Sequence, residues 1–228
     1  MTIPGIAGAG LMRPRPAVAV ADISYEESSE ANNVASVSLS ATIPASCKMV
    51  IVFHHITDDD SASYSSDSCT VGGSAATATT EHLASSGSDV AIVRAYYKAN
   101  PSTGAQTITC NAGGTDVDNQ FITAVYLTVP VEYVAEDGDV SNSGTTCDTS
   151  ITTTEPLCLI NGFTKRISQS LTLTGGGTEL TDTAGAGGSG SRYSAAYLIQ
   201  SIPGASDFNR SFATSSPSAT TTLALRAT

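Results

Sequence analysis

The densest group of side chains able to do chemistry is "FHHITDDD", residues 53–60, where His54, His55, Asp58, Asp59 and Asp60 fall within a few positions. Imidazole beside carboxylate is the material of a metal site or an acid/base pair. If the segment is a strand, His54 and His55 point to opposite faces and cannot ligate one ion without a bulge. Three aspartates in a row could offer oxygens to a calcium ion, but the alternating D-x-D-x-D-G spacing of a calcium loop is missing. The segment therefore reads as a strand running into an acidic, solvated loop, with no metal or other cofactor expected.

Other chemistries have less to build on. No G-x-S-x-G elbow occurs in a strand–turn–helix setting, and the Gly-Ser-Gly of "GGSGSRY" (187–193) lies in a connector before a strand. "GAGGSGS" is not followed by Lys-Ser/Thr, so it is not a phosphate loop. His82, in "TTEHLASSG", has no evident partner. The expectation is a protein that is not an enzyme.

The elements that must position these residues are strands. Across 228 residues only 14% are charged, Trp is absent, and Ser, Thr, Ala and Gly dominate. Short β-compatible side chains with small turn residues are the usage of a sandwich. Ala35, Val37, Leu39, Ala41 and Ile43 alternate with Ser36, Ser38, Ser40 and Thr42, the period of a half-buried strand. "KMVIVFHHI" (48–56) is a continuous apolar run and predicts a more deeply buried strand.

Gly72-Gly73 predicts a tight hairpin, and Asn100-Pro101 with Gly104 predicts another between "VRAYYK" and "AQTITC". "NQFITAVYLTVPV" (119–131) is the most apolar strand and should end near Val129, before Pro130. In the second half, "EPLCLINGF", "SQSLTLT", "SRYSAAYLIQSI" and "ATTTLALRA" are the strand candidates. "GGGTELTDTAGAGGSGS" and "PGASDFNRSFATSSP" read as connectors, and residues 135–150 as an acidic crossover loop. No internal sequence repeat is evident.

The fold expected is all-β: a two-sheet antiparallel β-sandwich, jelly-roll-like, over residues 23–228, preceded by an extended N-terminal arm, 1–22. Pro14 and Pro16 hold the arm extended. With Arg13 and Arg15, two of only ten cationic residues, the segment Arg13, Pro14, Arg15, Pro16 is the candidate partner-binding site.

A formal charge of −11 disfavours nucleic acid and anionic membrane surfaces as partners. No apolar run reaches the roughly 18 residues of a membrane span. The N-terminus lacks a basic stretch ahead of its weakly apolar one, so synthesis and folding in a cytoplasm are expected. The five cysteines show no C-x-x-C or finger spacing; one bridge among Cys47, Cys69 and Cys110, or small buried side chains throughout, both fit.

Val71, Gly72, Gly73 and Ala75, then Tyr96, Tyr97, Asn100, Pro101, Gly104, Thr107, Ile108 and Thr109 carry a resemblance. The order of hairpin, aromatic strand, N-P-x-x-G turn and Thr-rich strand resembles a β-sandwich module of bacteriophage virion proteins, over roughly residues 35–228. The resemblance implies a virion structural role: a capsid decoration or cement protein on the capsid surface, bridging major capsid proteins, homotrimeric and made in the host cytoplasm. The competing expectation is a tail-fibre or adhesin module binding glycans or receptors. Tyr96, Tyr97, Tyr126, Tyr133, Tyr193 and Tyr197 would supply its stacking face if two or three of them clustered on one exposed surface.

Overall fold

The computed structural model describes residues 18–19, 22–28, 34–59, 64–114, 117–185 and 190–228. The proposed arm contacts Arg13, Pro14, Arg15 and Pro16, and also Asp60, lie outside the described residues. No α-helix forms among the described residues.

The first half contains β1 (Ile23–Glu27), β2 (Ser36–Ile43), β3 (Met49–Asp58), β4 (Ser66–Val71), β5 (Ser74–Ala75), β6 (Thr77–Ser86), β7 (Asp89–Ala99), β8 (Gly104–Ala112) and β9 (Asn119–Leu127). The second contains β10 (Val131–Ser141), β11 (Thr146–Thr153), β12 (Leu157–Lys165), β13 (Thr172–Thr174), β14 (Thr178–Ala184), β15 (Arg192–Gln200), β16 (Gly204–Ser211) and β17 (Ser218–Ala227).

Four antiparallel sheets result. The orders are β1-β9-β3-β7-β6 and β2-β8-β4-β5 in the first half, β10-β17-β12-β15-β14 and β11-β16-β13 in the second. In the first half the first strand pairs with the last, the second with the last but one, and β3 with β7; β4 pairs with β5, which continues into β6 as one interrupted strand. This nested pairing is jelly-roll order. The second half repeats it: β10 with β17, β11 with β16, β12 with β15. The expected all-β sandwich is thus present, and it is present twice.

The registers show how close the repeat is. Ile51 pairs with Tyr97 as Ile160 pairs with Tyr197, and Gly104 ends the β2 partnership at Ile43 as Gly204 ends that of β11 at Thr153. Equivalent residues of β7–β8 and β15–β16 are 100 positions apart. Only Ala95/Ala195, Tyr97/Tyr197, Gly104/Gly204 and Ala105/Ala205 are identical along them, which is why no repeat is legible in the sequence.

The sheets stack in four layers, with the five-stranded sheets inside. Val37, Leu39, Val52, Ile108 and Ile122 fill the first sandwich. Met49, Ile51, Phe53 and Val125 meet Ile160, Ala195, Leu223 and Leu225 across the seam between sandwiches. Leu159, Ile151, Phe208 and Ala224 belong to the second sandwich. The inner strands β3, β9 and β12 are buried at every residue, whereas the outer strands β2 and β11 alternate exposed and buried. A strand covered on both faces needs apolar side chains throughout; one covered on a single face needs them at every second position. Each Ile, Leu or Phe so buried contributes about 1.5–3 kcal/mol.

Across the seam, β6 lies against β10 and β17, and β7 against β12 and β17. At the opposite edge, the Thr181 hydroxyl of β14 donates to the Glu27 carboxylate of β1 (2.6 Å). One sandwich is therefore turned on the other about an axis near β3 and β12, the geometry of an isologous dimer built into one chain.

Several sequence expectations need correction. Residues 135–150 are not a crossover loop: most belong to β10, paired with β17, and β11, paired with β16. Their acidic and small residues occupy an edge strand and the exposed face of an outer strand. "TELTDTA" and "GASDFNRS" are likewise strands rather than connectors. The Asn100–Gly104 segment does not close a hairpin: it carries the chain from β7, paired with β3 and β6, to β8, paired with β2 and β4 in the other sheet. The Gly72-Gly73 turn is as expected, with φ of 57° and 74°, both in the left-handed region that a two-residue hairpin requires.

Candidate functional site

His54 and His55 do point apart, as a strand requires. His54 enters the first sandwich, where Nδ1 lies 2.7 Å from Ser66 Oγ and Nε2 lies 3.0 Å from Gln120 Oε1. His55 enters the seam, where Nδ1 meets Thr164 Oγ1 of the second sandwich at 2.7 Å and its ring packs on Tyr193, centroids 5.2 Å apart. Both histidines are 0% exposed. Burial pushes the His54 pKa down to about 4 and the His55 pKa to about 3, so both are neutral near pH 7.

Ser66–His54–Gln120 has the connectivity of a nucleophile, a base and an orienting group. Sequence reasoning missed it because Ser66 sits in a serine-rich stretch with nothing to single it out. The arrangement is sealed: Ser66 is 0% exposed, its hydroxyl also meets Tyr96 OH at 2.9 Å, and its carbonyl accepts from Arg94 Nη1 at 2.7 Å and Tyr96 OH at 2.8 Å. Its amide donates to the Glu81 carboxylate. With an amide in place of an acid and no solvent-facing side, these groups brace β4 against β3 and β7.

The acidic stretch gains a member from far along the chain. Carboxylate oxygens of Asp58, Asp59 and Asp118 lie within 4.8 Å of one another. The Asp58 carboxylate accepts the Asp118 amide at 2.9 Å. Arg166, which follows β12 in the second sandwich, reaches into this group from across the seam. Its Nη2 lies 2.8 Å from Asp59 and 3.6 Å from Asp118, and its Nε lies 3.6 Å from Asp89 and donates to the Asp58 carbonyl at 3.0 Å. The guanidinium, 4% exposed, takes the place a cation would have. Burial, hydrogen bonding with Asp59 and the charges of Asp58 and Asp59 together raise the Asp118 pKa to about 6 against the opposing pull of Arg166. The arrangement is an ion-pair clamp between sandwiches.

The remaining sequence candidates are internal. His82, on β6, packs its ring against Gly138 of β10, and burial lowers its pKa although Glu136, Asp137 and Asp139 oppose the shift. Tyr96, Tyr126, Tyr193 and Tyr197 are buried. Tyr97 stacks on Tyr133 in the seam, centroids 5.2 Å apart and planes 8° apart. Among the described residues, the tyrosines do not form the exposed cluster that a sugar-stacking surface needs. The five cysteines are free and buried; Cys69 and Cys110 are cross-strand neighbours on β4 and β8.

The two outer sheets each present a broad face to the surface. β2 exposes Ser36, Ser38, Ser40 and Thr42, and β11 exposes Thr146, Asp148, Ser150 and Thr152. These two hydroxyl-bearing faces look in opposite directions from one rigid core. No protein-family model, curated protein or solved structure matches the chain.

Proposed function

We propose that the chain is a non-enzymatic virion structural protein, a cement or decoration subunit that bridges major capsid proteins on the capsid surface. The observation that supports this reading is the doubled sandwich, with two hydroxyl-bearing outer faces held on opposite sides of a common core. Bridging needs a stiff spacer with two contact surfaces. Here neither sandwich can pivot freely, because each completes the other's buried sheet.

Weak contacts at two faces, joined by a rigid body, add as effective concentration rather than as new contact energy. The arm, through Arg13, Pro14, Arg15 and Pro16, adds a third contact along a neighbouring subunit, and a homotrimer multiplies all three. The phage-like turn and core residues around Gly72 and Pro101 agree with this assignment.

The test is reconstitution. Purified protein is added to capsids lacking it, and bound copies are counted by quantitative gel and cryo-electron microscopy. Hundreds of copies per particle, raised capsid heat resistance, and loss of binding on deletion of residues 1–16, which keeps the seam residue Val18 and the Asp22–Thr128 bond, with the circular dichroism spectrum unchanged, are the expected results. Absence from purified virions, or turnover of a substrate abolished by a single substitution, would overturn the proposal.

A further inference from the structure

The second sandwich contains two buried cations that make no ion pair among the described residues. Lys165, on β12, and Arg210, on β16, are both 0% exposed. Lys165 Nζ lies 3.9 Å from the Phe212 ring centroid, and Arg210 Cζ lies 5.9 Å from that of Phe163. Those two rings are 6.2 Å apart, so both cations surround one aromatic pair. Ser218 is the cross-strand neighbour of Lys165, and Ser194, neighbour of Phe163, accepts from Arg210 Nε at 3.1 Å.

Beyond that single bond the polar atoms here are unanswered. Lys165 Nζ, Arg210 Nη1 and Nη2, and Ser218 Oγ are all buried without a hydrogen-bond partner. Ammonium and guanidinium groups can only donate. A cation–π contact offsets only part of the cost of taking such a charge out of water. The nearby carboxylates do not close the gap. Asp182 is held by Arg192, at 2.5 and 2.6 Å, and Glu179 acts on Arg210 only through space.

The first sandwich shows that the fold does not demand this group. With Ile51 equivalent to Ile160, Ile56 occupies the place of Lys165 and His54 that of Phe163. There the buried imidazole has a partner on each nitrogen.

We propose that the second sandwich holds one small inorganic oxyanion, phosphate or sulfate, between its sheets, bound by Lys165 and Arg210 with the hydroxyl of Ser218. Buried donors of one sign, set around one aromatic pair and left without acceptors, are the complement of a compact tetrahedral anion. Burial with Arg192 nearby lowers the Lys165 pKa to about 8, and a bound anion reverses that shift. The enclosure selects a free ion over a phosphate or sulfate carried on a larger molecule. The site is independent of the capsid reading and locks the second sandwich in place of an ion pair.

The test uses the full-length protein refolded in chloride buffer with labelled phosphate or sulfate. Saturable binding of about one anion per chain, weakened at least tenfold in Lys165→Met, is expected by mass action, with an unfolding midpoint that rises with phosphate at fixed ionic strength only in the wild type. Absence of saturable binding overturns the proposal, as does a Lys165→Met midpoint above wild type in chloride and phosphate alike, the outcome for an unpaired ammonium replaced by an apolar chain. If that variant does not fold, the nitrogen resonance of the wild-type Lys165 amine decides. Its pKa rises when phosphate replaces chloride if the anion is bound, and an unchanged value refutes the site.

Discussion

Gly162 offers the sharpest test of the seam, because two physical effects predict opposite signs there. It lies mid-strand in β12, paired with Ala195 and Thr221, and a Cβ added to it would sit 2.3 Å from Cδ1 and 2.6 Å from Cγ of Phe53. If strand propensity governed, Gly162→Ala would stabilise by roughly 0.5–1 kcal/mol. The geometry argues otherwise. Carbon atoms pack at about 3.5–4.0 Å, so the ring must move by more than an ångström. Phe53 is 0% exposed and hemmed in by both inner sheets, with nowhere to swing. Overpacking of a filled core costs about 1–3 kcal/mol, which offsets the propensity gain and leaves Gly162→Ala destabilising by about 0–2.5 kcal/mol.

Phe53→Leu alone creates a cavity and also destabilises, but the double variant gives the new methyl room. Its cost should fall short of the sum of the two by about 1 kcal/mol or more, the signature of direct contact. Urea unfolding followed by far-ultraviolet circular dichroism measures all three, with the slope expected to stay constant. A Gly162→Ala midpoint above wild type, or strict additivity in the double variant, would refute the close approach of the two sheets at this point.

Two further predictions concern charge. The folded pKa values of His54 and His55 lie below the usual 6.5, so their contribution is fully present above pH 6.5 and is lost as pH falls toward 4. Asp118 has the opposite sign: with a folded pKa of about 6 against 3.8 it costs stability above pH 6, and that cost fades on acidification. Burial also raises the pKa values of Glu81, Asp148 and Glu179 and lowers that of His82, so each contribution is read as a difference between variants. The stability of wild type relative to His54→Gln should fall by up to about 1.4 kcal/mol per pH unit between pH 6.5 and 4, and a difference that is flat or rises toward acid would contradict the burial of His54. Asp118→Asn should be more stable than wild type at pH 7–8, with an advantage that fades below pH 6. Arg166→Met leaves Asp58, Asp59, Asp89 and Asp118 facing one another without their cation. Calorimetry should show a loss near or below the lower end of the ~3–5 kcal/mol typical of breaking a buried pair, since Asp59 and Asp89 are partly solvated. Combining the change with Asp118→Asn should recover part of it.

Strand chemistry was readable along the chain wherever one residue set dominated. The alternation of Val37, Leu39, Ala41 and Ile43 announced a half-buried strand, the run Met49–Ile56 a fully buried one, and Gly72-Gly73 a hairpin. Strands made of Thr, Ser, Ala and acidic residues were not readable as such. β6, β10, β14 and β16 take their place from neighbours that supply both hydrogen bonds and cover, so their own sequences resemble connectors. The acidic group was half legible: Asp58 and Asp59 announce themselves, while Asp118 and Arg166 arrive from 59 and 107 residues after Asp59 and have no local signal.

By itself the sequence determined the all-β class, the Gly72-Gly73 hairpin and the doubly buried strands, because these depend on backbone conformation and on the period of side-chain burial; that the Asn100–Gly104 turn leads to the other sheet and not to a hairpin partner was decided by tertiary pairing. Only the tertiary structure decided what covers the second face of β3 and β9, namely a second sandwich in the same strand order. Burial requires apolar atoms but does not specify which, so the two halves could share an architecture while keeping few residues in common. The same indifference left Lys165 and Arg210 unremarked among strand residues until the sheets closed over them.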